Sequence, residues 1–216
     1  MIVAIDGPAA SGKGTIARAL AAEFDLAYLD TGSLYRMTAY LVLEAGGDPA
    51  NSNDAISAAR AVAGHTIVDE ALRTREVADA ASKLAAIPEV REALVTYQRD
   101  FGRSPPALEN GAPAKGAIVD GRDIGTVIFP EADVKLYVSA SPEERARRRH
   151  LELVDSGQPT EFAEVFADVK ERDRRDAERD ISPMKPAQDA HLLDSTDLSI
   201  EAAFEAAREL VAAAST

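Results

Sequence analysis

Residues 2–15 read Ile2-Val3-Ala4-Ile5-Asp6-Gly7-Pro8-Ala9-Ala10-Ser11-Gly12-Lys13-Gly14-Thr15, and this stretch decides the fold. The apolar run Ile2 to Ile5 reads as a buried strand, and Ile16 to Phe24 reads as a helix. A strand, a glycine-rich turn, Lys, a hydroxyl residue and a helix form the phosphate-binding loop pattern. Gly7 and Gly12 permit backbone torsions that a Cβ blocks. The loop can then turn its N–H groups inward around phosphate oxygens, beside the positive end of the helix. Lys13 brings a full charge to the β- and γ-phosphates, and Thr15 offers a hydroxyl to phosphate or to the shell of a Mg²⁺ ion. The nucleotide-contacting stretch is therefore Gly7, Pro8, Ala9, Ala10, Ser11, Gly12, Lys13, Gly14 and Thr15. A tight strand–helix turn without a ligand is the alternative, but it does not require Gly, Gly, Lys and Thr at these offsets.

Further strands are expected at Leu26–Leu29, Ala117–Asp120, Val134–Val138 and His191–Leu193, with a short isolated one at His65–Val68. Helices are expected over Ser33–Ala45, Asn53–Ala63, Thr74–Ile87 (stopped by Pro88), Glu89–Phe101, from Ser141 onward, over Glu161–Asp180, and at the end of the chain. Ile200, Ala203, Phe204, Ala207, Leu210 and Val211 would share the apolar face of that last helix. Ser141-Pro142-Glu143-Glu144 is a helix start, with a Ser cap, Pro at the first position and early acidic residues. Strands alternating with helices imply an α/β fold, a doubly wound parallel sheet of five strands. The stretch 102–116, with three prolines and Asn110-Gly111, reads as a surface loop.

Composition narrows the function. At 216 residues the chain can bury one sizeable core. A formal charge of −13 argues against a nucleic-acid-binding protein. With no cysteine, disulfides and thiolate metal sites are excluded. No apolar run approaches the ~20 residues that span a bilayer. The first strand begins at Ile2, leaving no room for a signal peptide, so a cytoplasmic protein with no membrane attachment is the expectation.

Arginine outnumbers lysine 18 to 6. Arg meets phosphate as a two-pronged fork, Lys as a point charge. Arg145, Arg148 and Arg149 share one helix face by spacing, and Arg172, Arg175, Asp176 and Arg179 share another. A salt-bridged surface is the alternative, through the i, i+4 pairs Asp168–Arg172 and Glu171–Arg175. In parallel sheets ligands bind beyond the carboxyl ends of the strands. Thr31 and Arg36, after one strand, and Asp120, Arg122 and Asp123, after another, would thus face the same crevice as the phosphate loop. Local pattern marks neither Ser82 nor Arg91; by chemistry alone both belong at the surface or partly buried. The three histidines are not spaced for a metal.

Six stretches in this order, GPAASGKGT (7–15), LDTGSLYR (29–36), RTREVADAASKLAAIPEVREAL (73–94), DGRDIGTVIFP (120–130), KERDRRD (170–176) and LLDSTDLSIE (192–201), resemble the bacterial cytidylate kinases. The Gly14 between Lys13 and Thr15 already sets the loop apart from the GTPases and toward the nucleoside monophosphate kinases. The resemblance implies a P-loop core of one domain over 1–216, a monophosphate-binding insert near 64–103 and a small lid near 148–162. It implies phosphoryl transfer from ATP to CMP or dCMP by a monomer, with Mg²⁺ carried by ATP and reached by Thr15 and Asp120 through water. Ser82, Arg91 and Asp123 match positions that hold cytosine. Arg36, Arg122, Arg172 and Arg179 match residues around the acceptor phosphate and ribose, Asp176 matches a ribose contact, and Thr31 joins the CMP set. Lys13, Arg122, Arg172 and Arg179 would be catalytic, and Arg148 would serve ATP from the lid. Two departures stand out: the segment before Arg73 is short, 64–72, and the Pro-rich loop 103–116 is long.

Three other functions share parts of this pattern. A kinase for a different monophosphate would keep the same loop. A GTPase switch would need an Asn-Lys-x-Asp motif, which is absent. A non-catalytic nucleotide-binding protein would form no ADP.

Overall fold

A computed structural model describes residues 1–62, 71–158 and 160–214. The expected strand at His65–Val68 lies outside the described residues. Five strands, β1 (Ile2–Asp6), β2 (Ala27–Asp30), β3 (Ala117–Gly121), β4 (Val134–Ser139) and β5 (His191–Asp194), form one sheet in the order β2-β3-β1-β4-β5. Every neighbouring pair is parallel. The five expected strands are these five, shifted by one residue at some ends.

Strand alternation divides the core between the two faces. Val3 and Ile5 of β1 and Ile118 of β3 point to one side, against Ile16, Ala17 and Leu20 of α1 (Lys13–Phe24) and Ala203, Ala207 and Val211 of α8 (Ile200–Ala214). Ala4 of β1 and Ala117 and Val119 of β3 point to the other. There they meet α2 (Thr31–Glu44), α4 (Arg75–Leu84) and α5 (Pro88–Arg103), with α3 (Ser52–Ala61) packed behind. The last helix thus buries Ala203, Ala207 and Val211 of the apolar face read from its period. A small third core, Ala146, Leu153, Val165 and Val169, joins α6 (Pro142–Asp155) to α7 (Phe162–Ala177).

Local chemistry moved several boundaries. The α2 helix begins at Thr31 rather than Ser33, because the Asp30 carboxylate accepts from the Ser33 N–H and caps it. The expected helix 74–87 is shorter. Thr74 caps its start, and the chain turns extended at Ile87 before Pro88 opens α5 at the position where its missing N–H is harmless. Ser141 caps α6 as its four signals suggested. A π-helical turn, Ile124–Ile128, follows β3 and has no counterpart in the sequence reading. Gly102 and Arg103 end α5, and the rest of the Pro-rich stretch is a loop whose tip bonds to itself, as Leu108 N–H to the Ala112 carbonyl, while Lys115 ties its end to Asp25. No described helix is long and apolar enough to cross a membrane.

Candidate active site

A crevice of about 860 Å³ opens at the carboxyl ends of β1, β2 and β3. This is where the strand order reverses and ligands of parallel sheets lodge. Its lining joins the phosphate loop, α2, α4, the turn after β3, α6 and α7.

The loop has the strained backbone its sequence demands. Gly7 lies at φ +148°, and a Cβ there would sit 2.0 Å from the Val138 carbonyl oxygen. Gly12, at φ +88°, precedes the first turn of α1, and Ala10 is left-handed despite its Cβ. Gly14 has a different reason. A Cβ at that position would press to 3.3 Å from Asp120 Oδ2 and 3.5 Å from the Tyr28 hydroxyl. A side chain after the lysine would therefore press on the Asp120 carboxylate of β3, with the Tyr28 hydroxyl of β2 in contact beside it. Lys13 forms no ion pair among the described residues. Burial and the nearby Arg122 lower its ammonium to about 8, against the opposing charges of Asp120 and Asp30. Thr15 is exposed, and the buried Ser11 hydroxyl has no hydrogen-bond partner among the described residues.

Two arginines of α6 hold this loop from behind. Arg145, buried, donates to the Ala9 carbonyl at 3.4 Å while gripping Asp173 of α7 with both prongs. Arg148 donates to the Ser11 carbonyl at 3.3 Å and to the Ser195 carbonyl at 2.7 Å, and the Ser195 hydroxyl donates to Ser11 as well. Arg149 instead lines the crevice, donating to the Arg73 carbonyl and to Glu152, so the three-arginine face splits into two roles. The sequence reading missed Ser195; the stretch LLDSTDLSIE flagged its neighbourhood, but only the sheet brings β5's end to the loop.

The acceptor half of the crevice is assembled from distant segments. Ser82 of α4 and Arg91 of α5 are both buried, against what their chemistry alone suggested. Arg91 pairs with Asp123 and lies with its guanidinium 5.7 Å from the centre of the Tyr35 ring. Burial disfavours the Arg91 cation, but Tyr35 and the Asp123 carboxylate beside it together more than restore its hold on the proton. The Ser82 hydroxyl has no partner among the described residues. A polar atom buried without a partner is rare and calls for an explanation, such as a ligand that completes it.

Asp176 of α7 accepts from Arg122 Nε at 3.0 Å and from Arg179. Burial raises this carboxyl, yet Arg122, Arg172 and Arg179 together hold it below the ordinary range. Arg172 is different. Its Nε has no partner, and burial followed by the Arg122 charge lowers its guanidinium to about 10. The expected Asp168–Arg172 pair does not form, since Asp168 accepts instead from Arg75 at 2.5 Å. Glu171 and Arg175 do approach, at 3.4 Å. Arg36 donates to Asp30 at 2.7 Å. The Thr31 hydroxyl lines the crevice but donates to the Asp120 carbonyl at 2.7 Å, tying α2 to β3. Asp120 accepts from Tyr28 at 2.9 Å, and burial pushes its carboxyl up despite the Lys13 charge.

Across the crevice mouth, Arg75 of α4 reaches Glu164 and Asp168 of α7, and Arg175 of α7 reaches Asp79 of α4 at 2.8 Å. These bridges were not foreseen; their partners lie about ninety positions apart, beyond any helical period.

Among the described residues, an unpaired Lys13 and Ser11 hydroxyl on one side, and arginine nitrogens without partners on the other, suit two anionic ligands facing each other. The family model for cytidylate kinase matches residues 3–213. The chain belongs to the cytidylate kinase family. A cytidylate kinase of Methylocella silvestris is 54% identical over 214 residues, 99% of this chain and 95% of that one. Another, of Cereibacter sphaeroides, is 53% identical over 209 residues, 97% and 94% of the two chains. A solved structure of an uncharacterized protein from Eubacterium ventriosum shares the fold with a TM-score of 0.52 at 10% identity, covering 98% of both chains. Membership of this family makes the chain a nucleoside monophosphate kinase, with nucleotides as its substrates.

Proposed function

We propose that the protein transfers the γ-phosphoryl group of ATP to CMP and dCMP. The observation that carries this reading is the buried Arg91–Asp123 pair with the unpartnered Ser82 hydroxyl, lining one crevice with Lys13. Cytosine presents an amino donor at C4 and acceptors at N3 and O2. A carboxylate accepts from the amino group, a guanidinium donates to the ring acceptors, and a hydroxyl rotates to suit. Uracil reverses the C4 and N3 pattern and would meet like with like. The crevice volume, near the upper end for single-ligand sites, suits two nucleotides placed end to end.

In this reading the phosphate loop 7–15 and Lys13 hold the ATP phosphates. An oxygen of the CMP phosphate attacks the γ-phosphorus, the bond from that phosphorus to the β-bridging oxygen breaks, and ADP leaves with the electron pair. The acceptor phosphate has a second pKa of ~6 and is already a dianion near neutrality, so no strong general base is required. Catalysis then rests on alignment and on charge neutralisation. Arg122, Arg172 and Arg179 supply cations where negative charge develops, Arg36 joins them at the acceptor phosphate, and Asp176 takes the ribose while keeping Arg122 and Arg179 in place. Arg148 would serve ATP indirectly, by holding the loop from behind through the Ser11 carbonyl.

The residues also fit a magnesium ion that arrives with the nucleotide. The Thr15 hydroxyl and the Asp120 carboxylate both line the crevice, a donor set that suits an ion which keeps several waters and binds through phosphates. Thr15 and Asp120 would hold its water shell, and the ion would neutralise phosphate charge.

We read 64–103 as the acceptor-binding insert and 148–162 as a lid over the site. The protein would act as a cytoplasmic monomer, and its net charge of −13 opposes binding to nucleic acid. Acceptor-dependent ADP release across CMP, dCMP, UMP and AMP tests the reading: CMP and dCMP should dominate, and equal rates with AMP or UMP would overturn it.

A further inference from the structure

Asp6 ends β1, one residue before the phosphate loop, and is buried. Its carboxylate does not face the crevice; Asp6 is absent from the crevice lining. Both its oxygens are taken by a different segment, Oδ1 accepting from the Ile124 N–H and Oδ2 from the Gly125 N–H, each at 2.8 Å. Burial drives this carboxyl up to about 6 even though those two N–H groups favour the anion. A buried carboxylate is a costly way to terminate two amides, because carbonyls could do it without desolvating a charge.

The location suggests what the carboxylate does. Ile124 and Gly125 follow Asp123 directly and begin the π-helical turn 124–128. Asp123 itself adopts φ −140°, ψ 25°, outside helix and strand, and its carbonyl accepts from Val127 and Ile128. π-turns of this kind recur at functional sites. Two charge-assisted bonds from a rigid central strand therefore set the direction in which the chain leaves β3, and with it the aim of the Asp123 and Arg122 side chains. No side chain of the turn provides that constraint: the buried Thr126 hydroxyl has no partner among the described residues.

We infer that Asp6 is a positioning residue for base selection, linking the root of the phosphate loop to the turn that carries Asp123. This inference rests on the reading of the site as a cytidylate kinase. Arg99 anchors the far end of the turn through the Val127 and Ile128 carbonyls; without the Asp6 bonds its near end, which carries Asp123, loosens, while the phosphate loop, shaped by Gly7, Gly12 and the bonds from Arg145, Arg148 and Ser195, keeps its own geometry. Acceptor selection should suffer and ATP use should not.

The test is Asp6→Asn, which keeps one acceptor but turns an NH₂ toward the second N–H. Misplacement by a fraction of an ångström to one ångström can cost up to about 10²-fold. The ratio of kcat/KM for CMP to that for UMP should fall by about tenfold, with the KM for ATP within about twofold of wild type. Amide exchange of the free protein should quicken over 122–128 and stay unchanged over 7–15. A purely structural role would lower the melting temperature and scale all rates together, leaving the ratio unmoved; that result overturns the inference. If Asp6→Asn does not fold, Asp6→Glu decides with the same readouts, since it keeps the charge and moves both acceptor oxygens off the Ile124 and Gly125 N–H groups by one methylene. A ratio lowered in that variant supports the link, and an unchanged one overturns it. The two readings fail separately. A wild type inactive on CMP would sink the function, with exchange still judging the Asp6 link; an active wild type with an unmoved ratio would sink Asp6 alone.

Discussion

The two halves of the crevice are built in opposite ways. The phosphate loop is one uninterrupted stretch, 7–15, between a strand and a helix that its own residues specify. The acceptor half draws Ser82, Arg91, Asp123 and Asp176 from four elements spread over ninety-five positions, and its pairings cross between elements except where Asp176 meets Arg179. The loop presents its groups vacant: Lys13 is unpaired among the described residues. The acceptor half mostly holds its charges against one another, as Arg91 with Asp123 and Asp176 with Arg122 and Arg179. A local motif is rigid because glycine torsions and helix geometry set it. A dispersed site becomes rigid only through ion pairs, and must exchange some of those contacts for a ligand.

The comparison breaks most sharply at Lys13. Lys13→Ala should lower kcat by about 10³-fold with the melting temperature nearly unchanged, since no partner loses a bond. Near-normal turnover would remove Lys13 from the chemistry. The wild type offers a sharper form of the same test. With the ammonium held near 8, ATP affinity should weaken as pH rises past 8 and the charge is lost. Stability should move the other way. Between about 8 and 10.5 the unfolded chain keeps a proton that the folded chain has released, so this group favours folding more as pH rises. A flat ATP affinity from pH 7 to 9.5 would contradict the assignment.

The acceptor half should respond to mutation in both stability and selectivity. Asp123→Ala leaves Arg91 buried and unpaired, which should destabilise the fold by about 3–5 kcal/mol. Asp123→Asn keeps the shape, and with it the CMP-to-UMP ratio of kcat/KM should fall by roughly 10²-fold. An unaltered ratio in a folded variant means that Asp123 does not read the base. Arg122→Lys keeps the charge but loses the fork that binds Asp176 through Nε. Acceptor kcat/KM should drop by about tenfold, or ~1.4 kcal/mol. Unchanged initial rates would reduce Arg122 to a structural residue.

Smaller effects lie at the edges. The Arg75 bridges to Glu164 and Asp168 are half-exposed, so Arg75→Ala should raise the acceptor KM by only about threefold, and high salt should erase the difference. A salt-independent change would point to packing instead. Replacing 106–113 with a short Gly-Ser linker should change neither activity nor melting temperature measurably, because the loop's bonds are internal and its side chains mostly solvated. A clear loss would show that the loop supports something beyond itself.

Legibility followed the same division. The strands, the doubly wound order of events and the loop were readable because periodicity and glycine placement act over a few residues. Gly14 was visible as a departure, yet its cause was not: the crowding comes from Tyr28 and Asp120, which the sheet delivers. The face shared by Arg145, Arg148 and Arg149 was read correctly as a spacing, but its division was not. Helix period says which side chains share a side and not which neighbours await them. Ser82 and Arg91, marked only by resemblance, look like surface residues until α4 and α5 pack on the sheet and bury them.

By itself the sequence determined that the first strand would run into a glycine-turned loop and a helix, and that the chain would wind about a parallel sheet. Those outcomes depend on torsions and periods confined to neighbouring residues. Only the tertiary structure decided that Asp123 would pair with Arg91, that Asp168 would take Arg75 rather than Arg172, and that Asp6 would hold the turn beside the base-reading pair. A charged side chain has several complementary partners along any chain. Which one it meets is settled by where whole helices and strands come to rest, and burial then makes that choice costly to undo.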